Sequence, residues 1–166
     1  MNNYSRLFDS EEFSDVTFTF PNQPNEKPLP AHRLILAELS PVFKTMFTSG
    51  LKESRESPIK IIECTAENFK CVIQFIYTGQ VKNLSENLDN VTEILDMANR
   101  YELKKLKLKI DEVLSKKNDD YFKTNLSKML IIAHLYNIPR VSNRVKNIYS
   151  NFTPSELYEF VIQFGV

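Results

Sequence analysis

Residues 30–47 read PAHRLILAELSPVFKTMF, and this stretch decides how the rest of the chain is read. The run from Ala31 to Ala37 is helical in character. Ser40 followed by Pro41 is an N-cap with a first-turn proline, which opens a second helix running through Phe47. Gly50 then stands where a helix terminator belongs. Upstream, Phe13, Val16, Phe18 and Phe20 alternate with Ser, Asp and Thr, as a half-buried strand requires. A Pro- and Asn-rich turn over 21–30 lets a hairpin return through Leu29. Before the strand, Tyr4, Leu7 and Phe8 form an i, i+3, i+4 apolar triplet, which predicts a short amphipathic helix.

Downstream, Pro58 to Ile62 is a short β-rich run. Thr65 with Asn68 opens a helix bearing Phe69, Val72, Ile73 and Ile76, and Gly79 ends it. From Leu88 onward the pattern is helical throughout. Apolar faces recur at Leu88, Val91, Ile94 and Leu95, and then at Leu103, Leu106, Ile110 and Leu114. The polar run Ser115 to Asp120 is a boundary candidate. Further stripes follow through Phe122, Leu126 and Met129, and through Val141, Val145 and Ile148. A last one, Leu157, Phe160, Val161 and Phe164, is capped by Thr153-Pro154-Ser155-Glu156. The expected fold class is therefore α+β, with three or four short strands wrapped by helices in the first half and helix pairs after them.

The chain has 166 residues, enough for one domain or one domain with a helical lobe. Lys and Arg total 21, as do Asp and Glu, so the formal net charge is zero. A neutral chain lacks the broad field that draws nucleic acid or an anionic membrane. Cys64 and Cys71 form no secreted disulfide framework, which points to a reducing, intracellular setting in cytoplasm or nucleus. No apolar run over 1–15 suggests a signal peptide, and none approaches the ~20 residues of a membrane span.

Catalytic constellations are missing from the sequence. The three glycines are far apart and form no phosphate loop. His32 and His134 stand at no ligand spacing from Cys64 or Cys71, so neither metal nor cofactor is expected. His32 reads as a satisfied histidine bonded to nearby backbone. The cysteines read as small core residues. An enzyme is not the expectation.

The segment 14–18 (SDVTF), the opening stretch, IKI at 59–61, FKCVIQFIYTGQV at 69–81 and VTEILDMANRYELKKLK at 91–107 together resemble the BTB/POZ family over residues 5–115. NLSKMLIIAHLYNIPRVSNRVKNIYSNF at 125–152 resembles the three-box, or start of a BACK-like region, of cullin-binding adaptors. Speckle-type POZ adaptors are the nearest likeness. The resemblance implies a small β-sheet flanked by a cluster of α-helices over 1–115, and an all-helical extension over 116–166. It further implies a homodimer that binds the cullin-3 N-terminal domain and brings an unidentified substrate protein to a ubiquitin ligase.

Site residues follow from the same likeness. Tyr4, Leu7, Phe8 and Ile35 match the dimer interface, although a monomer could fold the first helix onto its own core. Asp15 and Arg33 match paired charges near that interface, either a buried ion pair fixing the first strand or a charged pocket for a partner. Leu51-Lys52-Glu53 matches the hydrophobic–any–acidic triplet with which cullin-3 adaptors meet their scaffold. Leu51 would fill an apolar pocket and Glu53 accept hydrogen bonds at its edge. Tyr101 is a lesser candidate contact; the plainer alternative for these residues is a solvated loop and a core tyrosine. The chain holds no MATH, kelch or zinc-finger substrate reader. A transcriptional regulator recruiting a corepressor, or a plain oligomerisation scaffold, are the other readings.

Overall fold

The computed structural model describes residues 4–50, 57–81, 84, 87–155, 158 and 162. The chain divides into two compact units, the first ending at Leu106 and the second starting at Lys107.

In the first unit, strand β1 (Val16–Thr19) lies at the centre of a three-stranded sheet of order β2-β1-β3. It runs antiparallel to β2 (Leu29–Ala31), with Val16 opposite Ala31 and Phe18 opposite Leu29. It runs parallel to β3 (Ile59–Lys60), with Phe18 opposite Ile59. Val16 and Phe18 are buried while Thr17 and Thr19 are half-buried, the period of two that a one-sided sheet imposes. Phe13 lies ahead of β1 and out of phase with Val16, Phe18 and Phe20, so it does not extend the strand's buried face.

Helix α1 (Arg33–Leu39) and helix α2 (Pro41–Thr48) are separated by Ser40 alone. The Ser40 hydroxyl accepts the Phe43 N–H at 3.1 Å and donates to the Tyr101 carbonyl at 2.7 Å, so a fully buried polar group is satisfied in both roles. Helix α3 (Ala66–Thr78) starts at Thr65, whose side chain accepts the Asn68 N–H. It ends at Gly79, whose φ of 68° is the left-handed cap a side chain would oppose. Glu93, on helix α4 (Leu88–Arg100), accepts both the Thr65 N–H and its hydroxyl at 2.9 Å, and the Asn68 side-chain amide besides. The cap of α3 is thereby tied to α4. An aromatic cluster forms the centre: Phe18 meets Phe69 edge-on at 5.0 Å, and Phe43 stacks on Tyr101 at 4.5 Å. Burying each such ring contributes roughly 1.5–3 kcal/mol.

The second unit begins inside helix α5 (Lys104–Ser115), upstream of the polar run Ser115 to Asp120. Asn118 caps helix α6 (Asp119–Thr124) by accepting the Tyr121 N–H at 2.8 Å. Helix α7 (Leu126–Tyr136) ends at Asn137, in the left-handed region at φ 50°, and pairs with helix α8 (Pro139–Ser150). Met129, Ile132 and Ala133 of α7 are buried, as are Val141, Val145 and Ile148 of α8. Asp111, 1% exposed, accepts the Arg140 and Val141 N–H groups at 3.0 and 2.9 Å, capping α8 from α5. Arg144 donates to the Ser115 and Lys117 carbonyls and lies over the Phe122 ring. Leu157, Phe160, Val161 and Phe164, the expected last stripe, lie outside the described residues. No helix among the described residues is long and apolar enough to cross a membrane.

Candidate functional site

The N-terminal apolar triplet lies on a single 3-10 turn, Ser5–Leu7, set against α3. Tyr4, Leu7 and Phe8 are each half-buried. Phe8 meets the Tyr77 ring edge-on at 5.9 Å, and the Tyr4 hydroxyl lies 3.4 Å from a Glu38 carboxylate oxygen. These residues therefore cover part of their own core and leave the remainder of their surface open.

Ile35 is the residue of α1 that the family likeness matches to the dimer interface. It is only 6% exposed, because α1 turns Ile35 and Leu36 inward. Leu34 points the other way, on the face shared with Glu38, and is 82% exposed. Phe13 is 77% exposed. Among the described residues these two are the most exposed large apolar side chains. Neither was singled out as an interface residue. The signals were present in the strand phase of Phe13 and in the i, i+4 spacing of Leu34 from Glu38.

Phe13 is also held unusually. Its φ of 59° is left-handed, which costs a residue with a side chain about 1–2 kcal/mol. The Ser14 N–H donates to the Glu11 carbonyl at 3.1 Å, closing the turn around it. The Glu12 carbonyl lies 2.7 Å from His32 Nε2. A carbonyl only accepts, so the bonding network assigns the proton to Nε2. In the neutral ring His32 Nδ1 is then the acceptor of the Tyr77 hydroxyl at 2.7 Å, while Tyr77 accepts the His32 N–H at 2.9 Å. The histidine is satisfied on both ring nitrogens, partly by backbone as its sequence context suggests.

Asp15 completes the anchoring. Its N–H donates to the Ala31 carbonyl at 3.1 Å, and its carboxylate accepts the Arg33 N–H at 2.8 Å. Asp15 is exposed and caps the start of α1, where unpaired N–H groups favour an anion. The Arg33 guanidinium lies 5.3 Å from the Phe47 ring centroid, a cation–π arrangement.

Leu51 and Glu53 lie outside the described residues. Tyr101 is 6% exposed and its ring is stacked in the core against Phe43, so it offers a partner almost no surface. The neighbouring Glu102, Lys104 and Lys105 are on the rim of an open cleft of roughly 330 Å³ floored by Leu39, Phe75 and Leu103.

Among the described residues no cluster of three His, Cys, Asp or Glu side chains is arranged to hold a metal ion. Burial, reinforced by Glu93 and Glu63 and opposed by Arg100, pushes the Cys64 thiol up to about 12. Burial likewise pushes the Tyr77 and Tyr101 hydroxyls up to about 12. Two results are expected. Cys64 in the folded chain is alkylated by iodoacetamide at pH 8 at least about 100-fold more slowly than in urea, because the thiolate is the nucleophile. Stability is full below pH 9 and falls between pH 9 and 12, where the unfolded chain releases these protons and the folded chain retains them. Melting temperatures that stay flat from pH 8 to 11 would contradict those shifts.

Comparison with known proteins follows the same lines. A family model described as BTB/POZ domain matches residues 4–118. BTB/POZ domain-containing protein 9 of Bos taurus is 30% identical over 137 residues, which is 82% of this chain and 21% of that protein. The chain thus spans about a fifth of that relative's length. Solved structures similar to it include the BTB domain of zebrafish PATZ1, at TM-score 0.49 and 21% identity over 63% of this chain and 78% of that one. The BTB domain of human gigaxonin matches at TM-score 0.48 and 18% identity, over 62% and 79%.

Proposed function

The chain belongs to the BTB/POZ domain family, whose members are protein-interaction modules, and from that premise we propose a homodimeric adaptor that binds the cullin-3 N-terminal domain and presents a substrate protein to a ubiquitin ligase. The observation that carries the interaction reading is the exposure of Phe13 and Leu34 on one unit, beside the half-buried Tyr4, Leu7 and Phe8. Large bare apolar groups gathered in one region mark a surface that another protein covers. Asp15 links the segment carrying Phe13 to the start of α1, so the two side chains are presented from one junction. A cytoplasmic or nuclear site of action goes with this role.

The cullin assignment is supported by the Leu51-Lys52-Glu53 triplet, which follows α2 in the sequence, and by the helices after Ser115. The exposed Glu102, Lys104 and Lys105 extend the candidate contact beyond Tyr101. Chemically the module contributes recognition and geometry only; transfer of ubiquitin would take place on its partners.

Calorimetric titration of the cullin-3 N-terminal domain into the chain tests this. Leu51→Ala should weaken binding about 5- to 100-fold, corresponding to roughly 1–3 kcal/mol of lost apolar burial. The loss should appear mainly as faster dissociation. Glu53→Lys should weaken it at least as much, since it also reverses a charge facing the partner. Undiminished binding by both variants removes the triplet from the contact. Absence of wild-type binding removes the cullin role and leaves corepressor recruitment or plain scaffolding.

A further inference from the structure

We infer that the outer face of α7 is a docking surface for a helical segment of another protein, one whose apolar stripe is flanked by Asp and Glu. Helix α7 is apolar on both sides. Met129, Ile132, Ala133 and Tyr136 are buried in the second unit, while Ile131 and Leu135, four residues apart on the opposite side, are 55% and 62% exposed. Leu130 and His134 form a second exposed pair at the same spacing alongside them. Two such i, i+4 rows are the ridges against which another helix packs. A surface helix ordinarily turns a polar side to water, and bare Leu and Ile gathered there mark a face that a partner covers.

Charge selects the occupant. From Tyr121 to Ser155 the sequence has five Lys and Arg and no Asp or Glu. Lys123, Arg140 and Lys146 are exposed, and Arg140 follows Leu135 across the short turn into α8. Carboxylates nearer the start of the second unit are engaged by their own chain. Asp111 caps α8, Glu112 holds Lys109 and Lys116, and Asp119 pairs with Arg144. An incoming acid therefore meets cations and no like charge on the α7–α8 pair, whereas an incoming lysine finds no carboxylate there. A second copy docking by the same face would set its cations against these, which disfavours a symmetric contact. An anionic bilayer would also be drawn to the charge, but the exposed rows lack the Trp or Phe anchors of an interfacial helix. A helix with Leu or Phe at i, i+4 and i+7, and Asp or Glu beside them, satisfies the apolar rows and the cations together. This partner is distinct from the cullin domain proposed for Leu51 and Glu53.

The probe is a displayed library of random peptides about four helical turns long, selected on the full chain and counter-selected on Leu135→Glu. Enriched peptides should carry large apolar residues at helical spacing, flanking Asp or Glu, and a net negative charge. By fluorescence anisotropy, the tightest of them should bind Leu135→Glu and His134→Glu at least about tenfold more weakly than wild type, since each sets a carboxylate among the peptide's acids. His134→Gln should stay within about threefold of wild type, and raising the salt from about 0.05 to about 0.5 M should weaken wild-type binding about threefold or more. If Leu135→Glu does not fold, Ile131→Gln replaces it and should cost about fivefold. Enriched peptides that are cationic, or that bind both glutamate variants as well as wild type, overturn the inference, as does a wild-type chain that enriches nothing. Binding to phosphatidylserine vesicles that Leu135→Glu abolishes would give the face to a membrane instead. Self-association lost in Leu135→Glu would give it to a second copy. Peptide binding that appears only after Glu156→Lys with Glu159→Lys would give it to the chain's own C-terminal segment. No cullin domain enters these measurements, so failure here and failure of the cullin contact are separate results.

Discussion

Leu34→Asp is expected to abolish self-association while leaving the fold intact, and Ile35→Asp, one residue along, to abolish the fold. Leu34 is 82% exposed in the isolated chain, so replacing it costs the monomer no more than about 0.5 kcal/mol. In a dimer the new carboxylate would be enclosed without a partner, at a cost of at least about 3 kcal/mol, or more than a hundredfold in Kd. Ile35 is 6% exposed, and an aspartate there forfeits its apolar burial and places a charge in the core. The combined loss exceeds about 4 kcal/mol, a large part of the stability of an ordinary domain. Light scattering and thermal melting of both variants separate the two effects. A dimer of undiminished affinity for Leu34→Asp would move the interface away from α1. A well-folded Ile35→Asp chain would contradict the burial of that side chain.

In the second unit the largest effect is expected at Asp111. Its two carboxylate oxygens each hold a backbone N–H in the first turn of α8, at 3.0 and 2.9 Å, in a site only 1% exposed. Asp111→Ala leaves both donors buried without acceptors, each at about 1–3 kcal/mol, and removes an anion from a helix N-terminus. A loss of roughly 3–4 kcal/mol is expected, with Asp111→Asn intermediate because its amide offers one acceptor oxygen in place of two. Hydrogen exchange is the direct measurement: the amides of Arg140 and Val141 should lose protection together with the rest of α8. Retained protection in Asp111→Ala would mean that another group takes over the cap.

Most element boundaries were legible before the structure because their causes are local. Ser40-Pro41 opens α2, Thr65 and Asn68 open α3, and Gly79 ends it at positive φ, as their chemistry dictates within three or four residues. Alternation over Val16, Phe18 and Phe20 located the central strand. The family likeness was legible for a similar reason, since several such local signals recur at fixed spacing along one chain.

Which apolar side chains stay exposed was not legible to the same depth. Which of Leu34 and Ile35 faces outward depends on where α1 begins and which side it lays on the core, and a two-residue apolar step is equally compatible with either. The exposed conformation of Phe13 depends on bonds to residues 31–33, which the sheet brings alongside. Tyr101, which the sequence leaves open as a lesser contact or a core tyrosine, is buried because the turn after α4 packs its ring on Phe43, far away in sequence. The sequence by itself determined the order and type of elements, the caps that bound them and the family. Only the tertiary structure decided which apolar side chains were left over once the core was filled, because that remainder is set by contacts between residues remote in the chain.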